Sequence, residues 1–478
     1  SKDYYHIQEL KQELLQCKEL NKWNMGFVSR LLYRLRENAE VRNVISKIKP
    51  LGVWEEIEKL KIKNEELMYR FKQISNTVSD RETTNPITEN LFPPEENLLD
   101  TNWGTYVEPT STPAYLGTVI DGINGMKVTR VAEETAFGIG DVVNKRHAYS
   151  KRGAWNSDGT LIALSNDAKI LDGSTYALLG TCVGFGSLGW FNTEPHKVYQ
   201  SSSSDNFFRI QTFNPTTYAI STLFNRVFSD YTMLSHGGNE GNVSADDKTA
   251  ALFGYKPATG TDTWVVIYDI ELDSIVSETN IGTAYSDIDW LTICQSGTRF
   301  VVQYNTDGVA INQGTHSYDR NGANRIQLTT TTGHGDLGID QAGADVFVSY
   351  DLNGIYRLSS IDLITGVSTG LFPNTNGEVS GGHISCRNLK RAGWAYVSAG
   401  YNITTAAQEE VFAIKLDNTN TIERWCKHNT ALYGTKYYHQ PHACPNQDGT
   451  KVIFASDWHD AGLEAKTYAP SFVVEKDI

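Results

Sequence analysis

His147, His236, His334, His383, His439 and His442 are six of the eleven histidines in the chain. Each stands just ahead of a short turn-and-strand element, where random scatter would place fewer. Imidazole titrates near neutrality and serves as base, acid or metal ligand. Other chemistry-bearing side chains share these segments: Tyr149 beside His147, Asn239 and Glu240 after His236, Asp289 and Trp290 in Asp287-Ile288-Asp289-Trp290, and Arg387 after His383. Histidines grouped with Gln440 offer nitrogen and oxygen donors to a divalent ion such as zinc or manganese. His439 and His442 are three residues apart, so on an extended strand they point to opposite faces unless Pro441 bends the chain. Any one of these histidines serves equally well as a strand-to-strand hydrogen-bonding group. The set of six favours a binding or catalytic site. His196 and His316 fall elsewhere and read as surface residues.

The elements that would gather these residues repeat. From Pro113 onward, short β-rich runs alternate with Gly, Asn, Asp and Ser clusters. A polar turn followed by an apolar strand appears at Asp158-Gly159, Asp246-Asp247, Ser296-Gly297, Ala342-Gly343, Ala392-Gly393 and Asp448-Gly449. A degenerate copy, Glu194-Pro195-His196, fills the one double-length gap. Seven copies at blade-like spacing predict an all-β, seven-bladed β-propeller over 108–478. A pair of β-sandwiches is the competing architecture. Residues 115–131 are expected to supply a strand that closes the ring against the last blade. In a propeller the segments ahead of the turns converge around a central channel. Hence His147, His236, Asn239, Glu240, Asp289 and Trp290 are expected to bind substrate.

The first 76 residues are of another kind. They hold 15 Lys+Arg and 11 Asp+Glu, whereas the rest of the chain carries a net charge of −18. Leu, Glu and Lys dominate, which favours an N-terminal α-helical segment. Ile57, Leu60, Asn64, Leu67, Phe71 and Ile74 follow a heptad stripe with a polar Asn64 at one core position. This predicts either a coiled-coil stalk that makes a homo-oligomer or a helical hairpin packed on its own chain. Residues 77–107 read as a linker.

The net charge of −14 and pI near 5.3 argue against a nucleic-acid-binding body. Six scattered cysteines without a CxxC pair point to buried thiols rather than a disulfide scaffold or zinc knuckle. No apolar run is long enough for a transmembrane helix. Ser1-Lys2-Asp3-Tyr4-Tyr5 has no signal-peptide pattern.

Trp155-Asn156-Ser157-Asp158-Gly159-Thr160, Gly382-His383-Ile384-Ser385, and Gln440-Pro441-His442-Ala443 through Ala455-Ser456-Asp457-Trp458 resemble bacterial propeller polysaccharide lyases. Oligogalacturonate lyases and propeller ulvan lyases are the named groups, and the resemblance covers about 113–478. It implies β-elimination on uronate-containing, acidic polysaccharide. That chemistry needs a cation on the carboxylate, a base for the C5 proton and an acid for the leaving oxygen. By blade position the resemblance implies His383, Gln440 and His442 as metal ligands and His334 as an active-site histidine. Arg387 is then a bidentate carboxylate partner and Tyr149 an acid, which with His334 and His383 completes the expected catalytic set. The expected cofactor is a divalent cation: manganese, zinc or calcium. Where the family carries His-x-His, this chain has Gln440-Pro441-His442. The alternative function is a non-catalytic propeller that binds a surface glycan or receptor from an oligomeric stalk, as on a phage virion or cell surface. Either reading places the protein outside the cell or on a particle surface.

Overall fold

The computed structural model describes residues 91–476, apart from 102, 104–110, 123, 143–144, 166–167, 186–187, 202–204, 237–239, 258–259, 261, 351–355, 374–381, 401–406 and 408. The expected helical segment, with its heptad stripe, and Asn239 lie outside the described residues.

Seven antiparallel sheets follow one another in chain order. Blade 1 is built on Leu161–Ala163, Ala168–Asp172 and Leu178–Cys182, with Trp155 bridged to Ile162 on its inner side. Blades 2 to 5 each have four strands, and their second strands are Lys197–Ser201, Thr249–Tyr255, Arg299–Tyr304 and Asp345–Tyr350. Blades 6 and 7 begin with inner strands Gly382–Ser385 and Cys444–Pro445. This is the expected seven-bladed propeller.

The repeat was visible because its turn has a backbone requirement. Gly159, Gly297, Gly343, Gly393 and Gly449 all have φ between 72° and 85°, and Asp247 takes the same role at 62°. Only glycine adopts that region without strain, and Asp or Asn tolerate it best among the rest. A side chain five residues before the next strand's first N–H serves the turn as well. Asn156 Oδ1 accepts from Leu161 N (2.9 Å), Ser244 Oγ from Thr249 N (2.9 Å), Cys294 Sγ from Arg299 N (3.2 Å) and Asn446 Oδ1 from Lys451 N (3.1 Å). Cys294 is thus a turn acceptor.

Seven apolar clusters fill the seven blade-to-blade interfaces. Both faces of every sheet are therefore buried, which explains strands such as Arg299–Tyr304 that are buried along their whole length. The ring closes in blade 7, where Met126–Arg130 pairs antiparallel with Ser471–Lys476. Thr118–Ile120 adds the outermost strand. The strand expected between 115 and 131 is the clasp.

One boundary moves. Glu95–Asn97, inside the expected linker, pairs with Thr421–Glu423 as a fifth strand of blade 6. Its alternating exposure and polar residues made it look like linker. Leu98 and Trp103 pack on the cluster between blades 5 and 6.

Candidate functional site

The inner strands start on one face of the ring, and the entry segments meet there. His334 precedes the blade 5 inner strand, Gly335–Ile339, and remains exposed. Its Nδ1 lies 2.6 Å from the carbonyl of Gly382. A carbonyl only accepts, so Nδ1 carries the proton and Nε2 presents its lone pair. Desolvation by the surrounding channel mouth lowers the His334 pKa, the Gly382 bond offsets part of this, and Lys151 adds to the lowering. The ring stacks on that of His383 at 4.4 Å between centroids.

His383 is fully buried on its strand, and neither ring nitrogen has a partner. Its ring meets His442 edge-on at 4.0 Å and Tyr149 at 5.3 Å. Tyr149 also packs on His442 at 4.7 Å. Desolvation, then the nearby Glu240 carboxylate, raises the Tyr149 pKa, so its phenol stays protonated. Tyr433 and Tyr437 border the same cluster, at 6.4 Å from His383 and 5.0 Å from His442.

Lys151 sits at the channel wall. Its Nζ is 2.9 Å from Glu240 Oε2 and 4.1 Å from the centre of the buried Trp290 ring. Asp289 is exposed at this wall. Partial desolvation raises its pKa, with Lys151 acting against the rise. The structure thus gathers Tyr149, His334, His383, Gln440 and His442, with Glu240 and Asp289 beside them.

Four of the expected residues serve other ends. His147 is a pin: its Nε2 is 2.7 Å from the carbonyl of His442, and its Nδ1 is 3.0 Å from Ser471 Oγ. His236 is buried against Tyr199 and Phe208, with Nδ1 2.6 Å from Ser201 Oγ. Arg387, expected as a carboxylate partner, lies beyond the blade 6 inner strand and already holds one. Its Nε and Nη2 donate to the two oxygens of Asp336 at 3.1 and 3.2 Å. His439 pairs with the buried Asp457 at 2.9 Å. His316, read from the sequence as a surface residue, is buried in blade 4.

Arg146 was missed. It is 1% exposed, and its Nη2 is 2.7 Å from His442 Nδ1. Guanidinium only donates, so His442 Nδ1 is an acceptor and its proton sits on Nε2, 3.3 Å from Gln440 Oε1. This wiring does not fit the expected metal set. The Nδ1 lone pair is used, Nε2 carries a proton, and a fixed positive charge stands beside the ring. Among the described residues no group of three or more His, Cys, Asp or Glu is arranged to hold a metal.

The fold is a clasped seven-bladed propeller whose channel mouth is lined by histidine and tyrosine. No family model and no curated protein matches the sequence. Solved structures do match. An oligogalacturonate lyase in complex with manganese superposes with a TM-score of 0.50 at 14% identity, covering 78% of this chain and 98% of that one. The oligogalacturonate lyase of Vibrio parahaemolyticus gives 0.51 at 13% identity, covering 77% and 98%. At this identity the likeness shows the shared propeller fold.

Proposed function

We propose that the channel mouth is the active site of a polysaccharide lyase that cleaves uronate-containing chains by β-elimination. The observation that supports it most is His334: an exposed imidazole held by Gly382 as the neutral tautomer, with Nε2 free to take a proton. In this reading Nε2 removes the C5 proton of a uronate, the C4–C5 double bond forms, and the C4–O bond breaks. The leaving oxygen takes its proton from Tyr149, whose phenol is protonated at neutral pH. His383 and His442 hold Tyr149 in place from one side. The propeller likeness to oligogalacturonate lyases agrees with this reading.

The test is ultraviolet absorbance of unsaturated uronate during incubation with pectic, ulvan and alginate substrates, with and without chelator. A rise that His334→Ala abolishes supports the lyase. No rise on any substrate rejects it.

A second reading has its own support. Tyr437 and Tyr438 are 51% and 41% exposed, and the Tyr438 ring packs at a tilt against Tyr468, 4.6 Å between centroids. Exposed aromatic rims of this kind bind sugar faces without chemistry. Glycan binding without product formation would favour this non-catalytic module. In both readings the expected stalk gives an oligomer deployed outside the cell or on a particle, and light scattering of the full chain counts its copies.

A further inference from the structure

Lys145, Lys151 and Arg387 are buried cations that each hold a carboxylate: Glu134 and Asp141, Glu240, and Asp336 respectively. Arg146 stands among them and holds none. Its partners are neutral: His442 Nδ1 at 2.7 Å, the carbonyl of His147 at 3.3 Å, and the Tyr438 ring at 5.8 Å. Nη1 is buried and has no partner. The titratable groups that face it are the phenols of Tyr437, Tyr438, Tyr149 and Tyr468 and the imidazoles of His147, His383 and His442. A buried guanidinium without a counter-charge is unfavourable, so an incoming anion would relieve it.

His383 makes the same point independently. Both of its ring nitrogens are buried and unpartnered, one ring away from Arg146 through His442. An incoming group with several acceptor oxygens satisfies Arg146 Nη1 and an imidazole N–H together. A metal ion satisfies neither donor.

We propose that Arg146 is the receptor for the substrate's carboxylate and does the charge-neutralising work that a divalent cation would otherwise do beside His442. Tyr437 and Tyr438, on the 3-10 turn Tyr437–His439, lie over His442 and Arg146 and are solvent-exposed. Rotation of the Tyr438 ring gives a carboxylate access to Nη1. The identity of the anion as a uronate rests on the lyase reading. The existence of an anion site does not.

The experiment is calorimetric titration of the chelator-stripped full chain with trigalacturonate, acetate and the neutral galactotriose, repeated with Mn(II) present. Mn(II) binding is followed separately by electron paramagnetic resonance. Trigalacturonate should bind the stripped protein, galactotriose should bind far more weakly, and Mn(II) should change the affinity by less than about twofold. Arg146→Met should lower the affinity at least about tenfold, as expected for loss of a charge-assisted hydrogen bond. Arg146→Lys keeps the charge and should retain part of the affinity, which separates anion recognition from misfolding. Trigalacturonate binding that requires Mn(II), or that survives Arg146→Met unchanged, overturns the proposal. Absence of trigalacturonate binding under every condition overturns the uronate reading. In that case Arg146-dependent acetate binding still supports the anion site, and its absence overturns that as well.

Discussion

Arg146 and Arg387 are both buried in the ring, and their surroundings differ in one respect. Arg387 grips Asp336 through both arms of its fork and also donates to the carbonyl of Leu337 at 3.0 Å. Burial alone would lower its pKa, and the Asp336 carboxylate more than reverses this. Arg146 has no carboxylate, and burial pulls its pKa down to about 10 despite the nearby phenols. The first arginine is structural: its charge is consumed inside the fold. The second keeps its charge available at the face where the histidines and tyrosines meet. In one ring, then, ion pairing separates a group that holds blades together from a group that can receive something.

That contrast is open to attack. The largest effect should come from Arg387→Ala, which leaves the fully buried Asp336 without its partner. Removing one member of a buried pair costs about 3–5 kcal/mol, read as a lower urea midpoint. If Arg387→Ala unfolds no more easily than wild type, the structural assignment falls.

Acid comes next. Burial holds His147 and His236 down to about 3, and depresses His334, His383 and His442 as well. The fold therefore favours the neutral rings. For the buried His147 and His236 this contribution is complete above the unfolded value of about 6.5 and drains as pH falls toward 3, at up to about 1.4 kcal/mol per pH unit for each of the two rings, and the other three rings act in the same direction. Hydrogen exchange between pH 7 and 4 should show 145–149, 382–385 and 439–444 losing protection before 294–300 and 390–397. Simultaneous loss at both ends of the channel would overturn the assignment of acid sensitivity to the histidine face.

Arg146→Met should change stability by no more than about 1 kcal/mol, because an apolar replacement of a buried charge is often neutral. A large loss in its urea midpoint would make Arg146 as structural as Arg387. Smallest is Tyr437→Ala, an exposed position expected within about 0.5 kcal/mol of wild type by thermal melting. Its effect should appear in glycan affinity instead.

Much of this was legible in the sequence because it is local. A turn that needs a left-handed residue writes Gly or Asp at a fixed place, and a strand buried on both faces writes an apolar run after it. The clasp strand Met126–Arg130 was readable by the same rule. His334, His383 and His442 were found because they precede that signal. What escaped is long-range pairing. Nothing near Arg387 in the chain says that Asp336 fills its fork, and nothing near Arg146 says that Glu134 and Asp141 both go to Lys145. Lys151, Tyr433 and Tyr437 border the cluster for the same non-local reason. Glu95–Asn97 was lost to the opposite cause, since an outer strand facing solvent carries the composition of a loop.

The clasp has a consequence for how the chain is made. Met126–Arg130 leaves the ribosome about 340 residues ahead of Ser471–Lys476, its only ladder partner on that side. At about 5–20 residues per second, that interval lasts roughly 20–70 seconds. For all of it, Met126 and Val128, later completely covered, have no blade to join. The nascent protein must spend its synthesis as an open arc with two raw edges, and a chaperone that shields the leading edge would find its natural client there.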